Sequence, residues 1–243
     1  MSNIRLRGNR PRRNDPYPLG EIPDFVVEAM AKQIVHRLAI GMGDLEGNDF
    51  GTIFANSIGG VHRARPLGVA DVEWNGCAWS VKTVKDKTPL TKERLRLISG
   101  RNSPDYSAGL ENAHADISLT GRAVLEIWNA RVNEALGEHD DLRVVVLVRN
   151  IETREFVLFE EEAVRFVPEE YEWSYTAKNN LAGHHKITGT HKFTWQFHGS
   201  QFTVLRDVPP SARRFKIVPN VPLLDPEDII SYVGFDQNWI EFI

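Results

Sequence analysis

Residues 142–148 read LRVVVLV, an almost uninterrupted run of apolar, β-branched side chains. A strand that faced water on one side would alternate; this one does not, so it needs a packing layer on each face. The elements around it supply candidates for both layers. From Glu21 the spacing of Phe25, Val26, Met30, Ile34, Val35 and Leu38 follows a helical period that ends at Gly41 and Gly43. A second amphipathic stretch, 49–58, puts Phe50, Ile53, Phe54 and Ile58 on one face before Gly59-Gly60. A long helix over 116–136 presents Val124, Leu125, Ile127, Trp128 and Val132. The segment REFVLFE after Thr153 reads as a neighbouring strand, and 91–98 reads as a short helix capped by Thr91, with Leu95 and Ile98 on its apolar edge. The expectation is an α/β fold, a mixed central sheet flanked by helices, followed by a β-rich C-terminal part.

Between the second and third helices stands LGVADVEWNGCAWSVKTV, two Val- and Trp-rich runs around Asn75-Gly76. Both turn residues tolerate positive φ, which makes this the strongest hairpin signal in the chain, with strands at about 67–74 and 77–84. Pairing about that turn sets Asp71 nearly opposite Ser80, and Ser80 and Lys82 share a face. A carboxylate and a lysine are thereby brought together at the ends of adjacent strands. Such a cluster can bind a hard divalent cation through Asp71 and a backbone carbonyl near Val81 while Lys82 orients or deprotonates a water beside a phosphate.

Gly68-Val69-Ala70-Asp71 followed by Trp79-Ser80-Val81-Lys82, within a helix, hairpin, helix, strand order over about residues 21–165, resembles the PD-(D/E)xK nuclease superfamily, which includes most type II restriction endonucleases. The resemblance implies a restriction endonuclease-like core and a Mg²⁺-dependent, sequence-specific endodeoxyribonuclease that hydrolyses duplex DNA as a homodimer, with a cognate DNA methyltransferase encoded nearby. It assigns Asp71 to the metal and Lys82 to the attacking water. Two positions depart from the pattern: Ala70 replaces the proline, and Ser80 replaces an acidic metal ligand. Restriction enzymes similar at this point take the second carboxylate from the following helix, and Glu93, eleven residues after Lys82, is the first choice, against an exposed helix glutamate. Glu46, then Asp49, stand for the acid that often precedes the hairpin in the superfamily, and helix capping is the competing reading for both. Glu73 lies on the Asp71 face of its strand.

The charge pattern supports a polyanionic partner only locally. The 243 residues carry a net charge of −4, with 29 Lys plus Arg and 33 Asp plus Glu. Within 176–218, however, seven cations face Asp207 alone, a local balance of +6. The first twenty residues form a basic arm with Arg5, Arg7, Arg10, Arg12 and Arg13. The expected organisation is this arm (1–20), a nuclease core (21–168) and a recognition region (169–243) integral to the same domain. Candidate DNA contacts are Lys85, Lys87, Arg101, Asn102 and Ser103 after the catalytic strand, and Lys186, His191, Lys192, Gln201 and Arg206 in the C-terminal part. The lone Cys77 excludes an intramolecular disulfide or a multi-cysteine metal site. His184, His185, His191 and His198 match no zinc-ligand spacing. Without a secretory signal or an apolar run of membrane-spanning length, the expectation is a cytoplasmic protein.

Overall fold

A computed structural model describes residues 16–63 and 68–243. The Arg-rich stretch 1–15, and Leu67 at the start of the expected hairpin, lie outside the described residues. In chain order, helices α1 (Asp24–Ala39) and α2 (Gly47–Ile58) precede the short strand β1 (Val61–His62) and the hairpin β2 (Val72–Trp74) and β3 (Cys77–Lys85). Then follow β4 (Arg94–Arg101), the short α3 (Pro104–Ala108), the long α4 (Ile117–Glu138), β5 (Asp141–Asn150) and β6 (Glu155–Glu162). The C-terminal part holds β7 (Tyr171–Tyr175), β8 (Leu181–His185), β9 (His191–Gln196), β10 (Gln201–Asp207), β11 (Arg213–Lys216) and α5 (Pro226–Tyr232). No helix among the described residues is long and apolar enough to cross a membrane.

The strands form two sheets. One has the order β1-β2-β3-β5-β6-β11, with β3 and β5 parallel and the other neighbours antiparallel. The parallel pair is joined through α4, as a parallel connection requires. The other sheet, β4-β10-β9-β8-β7, is antiparallel throughout. Leu142 to Arg149 of β5 are all buried, as the unbroken LRVVVLV run demands. Val145 and Leu147 face the layer of α1 and α2, whose Val26, Met30, Ile34, Phe50 and Phe54 are fully buried. Val144, Val146 and Val148 face α4 and the second sheet, through Trp128, Phe193, Trp195 and Phe202.

The segment over 91–98 is a strand and not a helix. Leu95 and Leu97 are both buried while Arg94, Arg96 and Ile98 are exposed; this period of two cannot lie on one helix face. Only Pro89–Thr91 turns helically, as a single 3₁₀ turn. The hairpin's first strand is also shorter than expected: its ladder begins at Val72, and 68–71 runs on as irregular chain. The C-terminal strands are not a separate unit, because β4 from the middle of the chain edges their sheet and β11 edges the other.

One face of the larger sheet encloses a charged network. Arg143 Nη1 donates to Glu160 Oε1 at 2.9 Å, and its Nε donates to Asp141 Oδ2 at 2.9 Å. Glu160 also accepts from Trp79 Nε1, Tyr17 Oη and the Gly20 amide at 2.9, 3.2 and 3.0 Å. Tyr17, 5% exposed, is therefore fastened to the sheet although it falls within the expected basic arm. Every strong acceptor of the carboxylate is met, which offsets the cost of burying it. Replacing Glu160 by Gln removes the fully buried one of the two counter-charges of Arg143, leaving Asp141, and is expected to lower stability by about 3 kcal/mol. Urea unfolding followed by tryptophan fluorescence measures the loss.

Candidate active site

The hairpin turns at Asn75 (φ 44) and Gly76 (φ 82), and its register pairs Val72 with Trp79 and Glu73 with Ala78, so Asp71 falls opposite Ser80. The Asp71 amide still bonds to the Trp79 carbonyl at 2.8 Å. Beyond that point β2 has ended while β3 continues for five residues on its pairing with β5. The next amide on the open edge, Val81 N–H, donates to Asp71 Oδ2 at 2.8 Å, and Ser80 Oγ approaches the same oxygen at 3.5 Å. The carboxylate thus replaces the missing strand partner through one oxygen. Oδ1 accepts no hydrogen bond from a described residue.

Ala78 packs with the α4 layer while Trp79 and Val81 pack with the α1–α2 layer. Lys82 shares the Ala78 and Ser80 face and points into a cleft of about 360 Å³ lined by Gly68, Val69, Asp71, Ile98, Ser99, Gly100, Arg101, Arg131 and Gln201. Nearly the whole surroundings of its ammonium are protein, although part of the side chain still touches solvent. It makes no hydrogen bond or ion pair with any described residue. Desolvation lowers its pKa below the ordinary lysine range; Asp71 opposes that shift and Arg131 reinforces it. A buried, unpaired ammonium is costly, and proteins keep one where the charge or its proton is used.

The second carboxylate expected in this cleft does not reach it. Glu93 precedes β4 and is exposed, and its backbone carbonyl accepts from Val208 N–H at 2.7 Å. About 17 Å of strand separates it from Ile98 at the cleft. Glu46 is the N-cap of α2 on the opposite layer, where Asp49 Oδ2 accepts from its amide at 3.0 Å. Asp49 also pairs with Arg37 at 2.8 Å. The capping reading therefore holds for Asp49, and Glu46 has no contact with Asp71 or Lys82. Glu73 pairs with Arg63 at 2.7 Å near the hairpin turn and does not line the cleft. Among the described residues no three His, Cys, Asp or Glu side chains converge on a point that could hold a metal. Among the described residues Asp71 is the one carboxylate lining the cleft, so a divalent cation held there would need oxygens from elsewhere, such as a backbone carbonyl or a bound phosphate.

Of the residues expected to contact DNA, Arg101 and Gln201 face each other across β4 and β10 and line the cleft. Asn102 does not serve: it is fully buried, donating to the Val124 carbonyl at 2.8 Å and accepting from Arg131 Nη1 at 2.9 Å and, through its carbonyl, from Trp195 Nε1 at 2.8 Å. Arg206 is also committed elsewhere, paired with Glu161 at 2.8 Å and lying over the Phe166 ring. Ser103 caps α3, accepting from the Tyr106 amide. Lys85 pairs with Asp44 at 3.4 Å, Lys87 is exposed, and Lys186 donates to the Glu169 carbonyl beside a separate cleft near the start of α4. His191 lies against His184 with ring centroids 4.9 Å apart, its pKa lowered by burial, and burial likewise lowers that of Lys192, which neighbours Arg206 and Glu161. Arg131 was missed by sequence reasoning: a cation on an amphipathic helix reads as a solvated face.

The chain matches no family model, no curated protein sequence and no solved structure.

Because the Lys82 pKa is depressed in the fold, its ammonium destabilises the native state most at neutral pH. The penalty shrinks as rising pH removes the folded-state proton first. Lys82→Met is therefore expected to raise the thermal midpoint at pH 7, with the gain narrowing toward the ordinary lysine range; calorimetry across that pH series reads it.

Proposed function

We propose that the protein is a Mg²⁺-dependent endodeoxyribonuclease of the PD-(D/E)xK kind, acting on duplex DNA. The observation that carries the reading is the meeting of Asp71 and Lys82 at the point where β2 stops and β3 continues, each with an unused polar group facing one cleft. The element order supports it. Two helices and a three-stranded antiparallel run are followed, after β4 and α3, by the long α4 and the parallel β5, which keeps the helix, hairpin, helix, strand order that the resemblance implies.

In this reading Lys82 positions the attacking water, and burial lowers its pKa so that its proton is held less firmly than that of an ordinary lysine. Asp71 Oδ1 would hold Mg²⁺ together with oxygens of the scissile phosphate. The metal would supply charge neutralisation at that phosphate and a more acidic bound water. The buried Val81 amide fixes the carboxylate so that no reorganisation is needed when substrate arrives. A sequence-specific type II enzyme cutting a palindrome would work as a two-fold homodimer, with a partner methyltransferase protecting the host site.

Plasmid DNA incubated with Mg²⁺ tests this. Wild type is expected to linearise it at fixed positions, and Lys82→Ala and Asp71→Ala are each expected to lose about 10²- to 10⁴-fold in rate. Undiminished cutting by the Lys82 variant would remove the mechanism. A second reading, a DNA-binding protein on a nuclease-like core that no longer cuts, is favoured by the single carboxylate; it predicts binding with no cleavage in Mg²⁺ or Mn²⁺.

A further inference from the structure

The cleft holds one carboxylate, Asp71, against three cations, Lys82, Arg101 and Arg131. That balance is the reverse of what a self-sufficient divalent-cation site would carry, and it suits an anion. Arg131 is the most constrained of the three. It leaves the C-terminal half of α4, where Nη1 donates to Asn102 Oδ1 at 2.9 Å and Nη2 donates to the Arg101 carbonyl. Asn102 is itself immobilised by the Val124, Trp195 and Ser200 contacts. Of the five guanidinium N–H donors, three have no partner among the described residues.

The strand beside it is shaped to admit the guanidinium. Gly100 has φ +123, and a Cβ there would lie 2.3 Å from Arg131 Nη1. The positive φ favours glycine here, and any side chain would push the Arg131 guanidinium from its present place. Burial lowers the Arg131 pKa, and exposed Glu134 on the same helix is the carboxylate that offsets it. A guanidinium held by a buried amide, let through at a glycine and aimed beside an unpaired lysine is a rigid fork of the type that pairs with phosphate oxygens.

We propose that Arg131, with Lys82 and Arg101, forms a phosphate-binding subsite that takes a phosphodiester of the DNA backbone without a metal ion. The subsite rests on the reading that this cleft works on DNA, and it assigns an order: phosphate binds first, and its oxygens complete the coordination that Asp71 alone does not provide. Free inorganic phosphate has the same oxygen chemistry and is the alternative occupant.

Fluorescence anisotropy of a labelled duplex in EDTA tests the subsite apart from cleavage. Arg131→Gln is expected to weaken metal-free binding about tenfold, and Asp71→Asn, which removes the only carboxylate among the described residues lining the cleft, is expected to tighten it. The Asp71 variant keeps the test decisive if Arg131→Gln does not fold. Inorganic phosphate should compete with the duplex for wild type and less for Arg131→Gln. Unchanged affinity in the folded Arg131 variant, or weaker binding by Asp71→Asn, would overturn the subsite even if wild type cuts DNA in Mg²⁺. Absence of cutting with these binding shifts intact would instead remove the catalytic reading and leave the subsite standing. If phosphate competes equally with both proteins, it acts elsewhere and the subsite is again refuted.

Gly100→Ala offers an independent check of the geometry. Its methyl group would displace the Arg131 guanidinium, so Gly100→Ala is expected to weaken metal-free duplex binding as Arg131→Gln does, and unchanged binding by the folded variant would contradict the geometry.

Discussion

The pairing of β3 with β5 over nine residues, from Cys77 with Asp141 to Lys85 with Arg149, is the contact on which the rest of the molecule is arranged. Because the two strands are parallel, α4 must cross between them, and because β5 is apolar on both faces, two layers must cover the sheet. On its other edge β3 has a partner only as far as Ser80. The mismatch in length between a long central strand and a short hairpin partner creates the site: Asp71 turns back to satisfy Val81, and Lys82 is left on an edge with no strand beside it. A longer β2 would have closed that edge.

The second sheet converts the open edge into a cleft. Its first strand, β4, comes from the loop directly after β3, and β10 from the basic C-terminal region, so Arg101 and Gln201 arrive at the same wall from distant parts of the chain. Both sheets share one core around Trp128, Phe193 and Phe202. The electrostatics follow from who reaches the cleft. Two carboxylates that sequence reading placed nearby, Asp49 and Glu73, are spent on Arg37 and Arg63, whereas Lys82 and Arg131 make no ion pair with a described residue. A chain whose total charge is −4 thus presents a locally cationic pocket.

Much of this was legible before any coordinates. The Asn75-Gly76 turn, the buried run of β5 and the long helix α4 each depend on local chemistry that a sequence states directly. Lys82 was legible as partly buried because its neighbours in AWSVKTV are apolar. The errors share a different cause. Arg94-Leu95-Arg96-Leu97 carries a period of two that was read as a period of three or four, and that choice placed Glu93 on a helix near the metal. Asn102 and Arg206 are polar residues whose partners, Val124, Trp195 and Glu161, lie far away in sequence, so nothing local separates them from solvated loop residues. Gly100 was the one available sign of Arg131, since a glycine inside a strand marks a close approach, though it does not say by what.

The central claim is that a nucleic-acid phosphate occupies the space between Asp71, Lys82 and Arg131. A crystal structure of the protein with a short duplex and Ca²⁺ in place of Mg²⁺ tests it most directly. The account predicts one backbone phosphate in the cleft, its oxygens within hydrogen-bond distance of Lys82 Nζ and the Arg131 guanidinium, and a cation bridging it to Asp71 Oδ1. A duplex bound across another face, with this cleft holding only water, would contradict it.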